Sequence, residues 1–153
     1  MKRLKGLDGV LKNLNKAIKK QQLGTKRGLY ASGLIIKANA VKKTSIDLGN
    51  LRSSCFVMVT NLATDNPSGS FSGDDSSIFS SNHSKAISEG KSIVGRSDWD
   101  LVGIVAYSAY YALYVHEMPA TYNFNQGENK FLEKAVMETK KQVIQTLIKY
   151  AKV

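Results

Sequence analysis

The sequence predicts an α+β domain: a small antiparallel sheet of about four strands, flanked by a long N-terminal helix, bent or in two pieces, and a C-terminal helix. Three observations carry that prediction. Apolar residues recur at helical spacing over residues 4–41, runs rich in β-branched and aromatic residues occupy the middle of the chain, and a second helical stripe runs from Phe131 to Tyr150. A length of 153 residues fits a single domain over residues 1–153. It divides into a basic helical arm over 1–43, a sheet region over 44–124 and a terminal helix over 125–151.

In the arm, Leu4, Leu7, Leu11, Leu14 and Ile18 alternate spacings of three and four, while Lys5, Lys12, Lys16, Lys19 and Lys20 fall mostly off that stripe. Two heptads are fewer than an isolated coiled coil needs, so the stripe is expected to pack on the protein's own sheet or on a neighbouring subunit. Gly24 and Gly28 flank Thr25-Lys26-Arg27 and predict a bend or break, after which Ala31, Leu34, Ile35, Ala38 and Val41 restore helical spacing. Charge is concentrated in this region. Twelve of the 22 Lys and Arg residues and only one acid, Asp8, fall within residues 1–43, and the remainder of the chain is nearly neutral. Such asymmetry points to DNA or an acidic protein surface, with a solvated lysine-rich face as the plainer alternative.

Asp47, Gly49 and Asn50 form a turn that leads into a first strand, Cys55-Phe56-Val57-Met58-Val59-Thr60. From about residue 64 to 91 the chain is rich in Ser, Gly, Asn and Asp, with scattered apolar residues at Phe71, Ile78, Phe79 and Ile87, and reads as a long flexible loop. Ser92–Arg96, a turn at Ser97-Asp98 and Leu101–Tyr107 read as a hairpin, and Ala109–His116 as a further strand. Asn125 with Glu128 resembles a capping box that opens the last helix, whose apolar face is Phe131, Leu132, Ala135, Val136, Val143, Leu147 and Tyr150.

Chemistry is sparse. Gly90-Lys91-Ser92 resembles the end of a phosphate-binding loop, but the glycine needed five positions earlier is Lys85. His116-Glu117 would open a zinc-protease helix only with a histidine at position 120, which is Ala120. The lone Cys55 lies in an apolar strand with no base beside it and reads as core filler. The pairs Asp74-Asp75 and Asp98 with Asp100 read as solvated turn residues, and Tyr107, Tyr110, Tyr111 and Tyr114 as a partly buried strand face. No catalytic residue, metal site or cofactor is predicted, so the chain is expected not to be an enzyme. Its single cysteine and the lack of a signal-like or membrane-length apolar run predict a protein made in a reducing cytoplasm and not inserted in a membrane.

Two segments carry a family likeness. The first is Asp47-Leu48-Gly49-Asn50-Leu51-Arg52-Ser53-Ser54. The second comprises Tyr111-Ala112-Leu113-Tyr114-Val115-His116-Glu117-Met118-Pro119, then Asn123-Phe124, Gly127 and Lys130-Phe131-Leu132-Glu133-Lys134-Ala135-Val136. In that order they resemble the tail-completion or neck proteins of tailed bacteriophages, whose loop usually reads Pro, Val, Asp, Thr, Gly, Asn, Leu, Arg. Here Ser45 stands where proline is common and Leu48 where threonine is common. The resemblance implies a structural virion protein assembled in the bacterial cytoplasm: a ring of six subunits, with twelve as the alternative, at the neck between head and tail. It implies a portal- or connector-side partner, a tail-terminator, tube or sheath-side partner, and contact with packaged DNA. Under this reading Leu4, Leu7, Leu11, Leu14 and Ile18 form the assembly helix, and Lys12, Lys16, Lys19 and Lys20 face DNA or an acidic connector. The other function class is a small basic nucleic-acid-binding protein.

Overall fold

The computed structural model describes residues 6–46, 49–62, 71–96 and 101–152. Its elements are α1 (Leu7–Lys43), α2 (Asn50–Ser53), β1 (Cys55–Val59), α3 (Ser76–Arg96), β2 (Gly103–Tyr107), α4 (Ala112–His116) and α5 (Phe131–Ala151). The class is α+β, with a long N-terminal helix, a C-terminal helix and a two-stranded antiparallel sheet whose register pairs Cys55 with Tyr107 and Val59 with Gly103.

The sheet is the middle of three layers. Alternate residues of a strand face opposite ways, and here both faces are covered. Val57 and Val105 face α1, where a Cβ built on Gly33 would lie 2.5 Å from Val57 Cγ1. Phe56 and Met58 face α3 and pack with Ile87, Val94, Ile104 and Ala106. Burial on both sides explains why Cys55–Val59 is apolar throughout instead of alternating, and why all five residues are buried. Helix α5 runs antiparallel along α1: Tyr150 lies at Gly24 and Gly28, the Ser32 hydroxyl donates to the Val143 carbonyl at 3.4 Å, and Lys43 meets Glu138 at 2.7 Å. A second core lies at the carboxyl end of α1, where Leu51, Phe79, Ala109, Ala112 and Phe131 meet.

Several expectations are corrected. Two strands form among the described residues, where about four were expected. The expected strand Ser92–Arg96 is instead the end of α3, and the run from Ala109 turns away after β2 into α4. The expected loop over 64–91 is helical from Ser76 onward. Its buried stripe, Phe79, Ile87 and Gly90 with partly buried His83, Ala86 and Val94, has helical spacing that the serines disguise. Those serines remain compatible with a helix because Ser80 and Ser84 donate to the carbonyls four residues back, at 2.9 Å and 3.0 Å. The turn expected at Ser97-Asp98 lies outside the described residues.

Helix α1 is continuous through Gly24 and Gly28. These glycines are places of close approach, not breaks: a Cβ on Gly24 would lie 2.6 Å from the Tyr150 carbonyl oxygen, and one on Gly28 2.9 Å from Tyr150 Cβ. The last helix begins at Phe131, not Asn125, and the capping box does not form. Lys130, at φ 53°, holds the N-cap position, and the Glu128 carboxylate is taken by Lys43 and Lys134. Gly127, at φ 89°, lies so close to the chain at Ser45 that a Cβ there would meet the Ser45 nitrogen at 2.4 Å.

Candidate assembly surface

The two segments Gly49–Ser54 and Tyr111–Val136 are far apart in sequence and meet at the carboxyl end of α1. Gly49, at φ 80°, starts the short helix α2. Buried Asn50 then forms a two-way clasp with the backbone of Ser72, donating from Nδ2 to its carbonyl and accepting its amide at Oδ1, both at 2.8 Å. Leu51 enters the core beside Phe131. Arg52 turns back to close α1: Nε and Nη2 donate to the Thr44 carbonyl at 3.0 Å and 2.9 Å, and Nη2 reaches the Lys42 carbonyl at 3.5 Å. A cation on the unsatisfied carbonyls of a helix end answers both their hydrogen-bonding need and the negative end of the dipole. Thr44 extends the junction, donating to the Ala40 carbonyl at 2.8 Å and standing 2.9 Å from the Tyr107 hydroxyl. Burial holds that phenol far above its ordinary pKa. Asp47 lies outside the described residues.

The second segment surrounds Phe131, which is 1% exposed. Its ring meets Tyr107 and His116 edge-on, each at 4.9 Å between centroids, and Tyr111 meets Phe79 edge-on at 5.8 Å. Ala112 is buried, and Val115 and Leu132 pack beside it. His116 Nδ1 lies 2.8 Å from Glu117 Oε1, Lys130 Nζ donates to Glu117 Oε2, and the Lys130 amide donates to the His116 carbonyl at 2.8 Å. Hydrogen bonds from Lys130, and then His116, hold the Glu117 carboxyl below its usual range. A parallel network ties α1 to α5: Lys43 binds Glu128 at 2.8 Å and Glu138 at 2.7 Å, and Lys134 binds Glu128 at 2.7 Å. The lysines hold Glu128 low, and both carboxylates hold Lys43 high. Among the described motif residues, Leu113 and Tyr114 are 72% and 71% exposed and Glu117 is exposed as well. Asn50, Leu51, Arg52, Tyr111, Ala112, Val115, His116 and Phe131 brace the junction.

The expected assembly helix is not packed on its own body. Helix α5 ends opposite Gly24, so residues 7–23 project ~25 Å beyond it at the α-helical rise. Leu7, Leu11, Leu14 and Ile18 are between 44% and 54% exposed; Leu4 lies outside the described residues. The stripe occupies the same side of α1 as buried Gly28, Ser32 and Ala40, so it continues the body-facing surface past the point where the body stops. Lys12, Lys16, Lys19 and Lys20 are all exposed. Lys12 and Lys19 stand about 100° around the helix from Leu11 and Ile18, beyond Asn15 and Asp8, and Lys16 and Lys20 lie on the far side.

One pair went unnoticed in the sequence because its members are 25 residues apart: His83 Nδ1 lies 2.7 Å from Ser108 Oγ. The geometry is that of a nucleophile and its base. Its surroundings serve packing: Ser108 is 8% exposed and lies 3.4 Å from the Ser54 carbonyl, and the edges of Phe56 and Phe71 enclose the imidazole. Burial, and then the charge of Lys37, lower the His83 pKa. Among the described residues, no three His, Cys, Asp or Glu side chains stand close enough to hold a metal ion, and no helix is long and apolar enough to cross a membrane.

Comparison with models of protein families, with curated proteins and with solved structures returns no match for this chain.

Proposed function

We propose that this chain is a structural subunit of a tailed-bacteriophage virion, a neck or tail-completion protein that closes into a ring joining the head connector to the tail. The observation that carries this reading is the arm. A row of leucines half exposed on a rigid helix is unusual for a chain that acts alone, because large apolar side chains gain ~1.5 to 3 kcal/mol each on full burial. With four such residues about half exposed, a neighbour that covered them would gain on the order of 4 kcal/mol before association costs. The likeness of the Gly49–Arg52 and Tyr111–Val136 segments to neck proteins supplies the kind of assembly. Their position at one braced junction suits a subunit that must transmit load without changing shape.

A ring needs a head-to-tail interface with two different patches on each subunit, and connector and tail partners occupy its two rims. Electron microscopy of virions, with the protein localised by a specific antibody, is expected to place it at the neck. Replacing Leu11 and Leu14 by Asp is expected to leave heads and tails unjoined. Normal virions from that variant, or the protein's absence from particles, would sink the reading.

The exposed lysines favour a second reading, a small nucleic-acid-binding protein. Tight, salt-dependent duplex binding by the isolated chain, with a slope that falls when Lys16 and Lys20 are replaced by Glu, would favour it over the neck.

A further inference from the structure

We propose that the arm's occupant is a second copy of this chain, and that it docks in the aromatic groove at the opposite end of the molecule. This deepens the ring reading by naming the receiving patch. The groove, of about 220 Å³, runs between the turn at Asp74-Asp75 and the rings of Phe79, Tyr110 and Tyr111. Phe79 stacks on Phe71 at 5.6 Å and on Tyr110 at 5.7 Å, which makes a firm apolar wall. Tyr110 on its lining is 64% exposed, and Leu113 and Tyr114, two and three residues past the lining residue Tyr111 in the chain, are 72% and 71% exposed. Three large side chains left in water next to a walled groove form an interaction surface.

Two observations select the occupant. The first is charge. Among the described residues neither Asp74 nor Asp75 is in an ion pair, and over residues 7–20 the arm carries Lys12, Lys16, Lys19 and Lys20 against the single acid Asp8. A net-basic arm with a leucine stripe matches an aromatic groove edged with aspartates. Two arms facing each other would bring like charges together, and the aspartates would repel a nucleic-acid backbone.

The second is distance. The groove adjoins the carboxyl end of α1 through Asn50, which lines it, and Arg52, which grips Thr44. From Ile18 to Thr44 a straight helix advances ~39 Å, so no arm reaches the groove of its own molecule. Repeated from copy to copy, this contact joins unlike patches at opposite ends, the geometry of rings and filaments.

The test uses the purified full chain, with the buried Cys55 left in place. Copies carrying Leu14→Cys are mixed with copies carrying Tyr114→Cys and oxidised. A mixed cross-link is expected to dominate. Predominant Leu14→Cys homodimers would assign arm-to-arm pairing and overturn the proposal, as would the absence of any cross-link. In sedimentation, Asp74→Lys with Asp75→Lys is expected to weaken self-association at least tenfold. Adding Lys12→Glu and Lys19→Glu to the same chain is expected to restore it. Unchanged association in the aspartate variant would also overturn the proposal. These readouts need no virion, so a cross-linking protein absent from phage necks would end the neck reading and leave this contact standing.

Discussion

Gly33→Ala is the most direct probe of how α1 sits on the sheet. A Cβ at this position would lie 2.5 Å from Val57 Cγ1 and 3.6 Å from Val105 Cγ2. Carbon atoms prefer roughly 3.5 to 4.0 Å, so the added methyl is ~1 Å too close. Relief is hard to find. Val57 is 1% exposed, its β-branched side chain is stiff, and its strand is held from the other face by α3. Overpacking of this kind costs about 1 to 3 kcal/mol, and the rigid surroundings place it in the upper half of that range. Against it stands the helix preference for Ala over Gly, ~1 kcal/mol. The expected net loss is about 1 to 2 kcal/mol, which for a chain of this size lowers Tm by roughly 2 to 8 °C. Urea denaturation of Gly33→Ala, Val57→Ala and the double variant measures it. The double variant is expected to be more stable than the sum of the singles by at least ~1 kcal/mol, because removing Val57 Cγ1 makes room for the new methyl. The control is Gly9→Ala in the same helix, where nothing lies within 4 Å of the new atom; its midpoint should be unchanged or raised. A Gly33→Ala protein as stable as the parent, or zero coupling with Val57, would refute this account of the packing.

Three further outcomes are expected. Leu11→Asp with Leu14→Asp should leave the denaturation midpoint of the isolated chain within ~0.5 kcal/mol of the parent, since the arm touches nothing of its own body; a large loss would show that the stripe packs within the chain. Arg52→Ala should destabilise by ~1 to 3 kcal/mol by leaving the Thr44 carbonyl without its charged donor, and Arg52→Lys should recover less than half, because an ammonium cannot reproduce the two-nitrogen grip. Hydrogen exchange at the end of α1 reports the same loss. On acidification, stability should fall in two stages. His83 has a lowered folded pKa, so the unfolded chain takes up its proton first and stability declines as pH drops below ~6.5. Glu128 is also depressed in the folded state, so its contribution is present above ~4.3 and is lost as pH falls through its folded value. NMR titration of His83 above 6.5, or a Glu128→Gln protein with an unaltered acid limb, would contradict the assignments.

The helical ends were legible because their evidence is local. The stripes from Leu7 to Ile18 and from Phe131 to Tyr150 specify their period whatever surrounds them, and both segments are helical. Strand β1 was legible for the same reason, as an apolar β-rich run too short for a helix. Composition misled where function of position mattered more than type. Serines made Ser76–Lys91 look like a loop, although its inward residues keep helical spacing and most of its polar ones face outward. The motif residues Gly49 to Arg52 were visible as a turn, but the clasp on Ser72 and the grip on Thr44 link them to partners that no local pattern reveals.

By itself the sequence determined the α+β class, the helices at both ends, the basic arm with its leucine stripe and the lysines beside it. Tertiary structure decided what each ambiguous segment became. Gly24 and Gly28 favour a bend only in an isolated helix; with Tyr150 packed against them they are the residues that let α5 come close. Glu128 favours a capping box only while nothing competes, and Lys43 and Lys134 compete successfully. The leucine stripe favours burial, and whether the chain's own body supplies it depends on how far α5 extends along α1, which is a matter of relative helix length and docking register. Local propensities amount to tenths of a kcal/mol per residue, and packing contacts to one or more, so segments with weak or divided preferences take the conformation their neighbours impose.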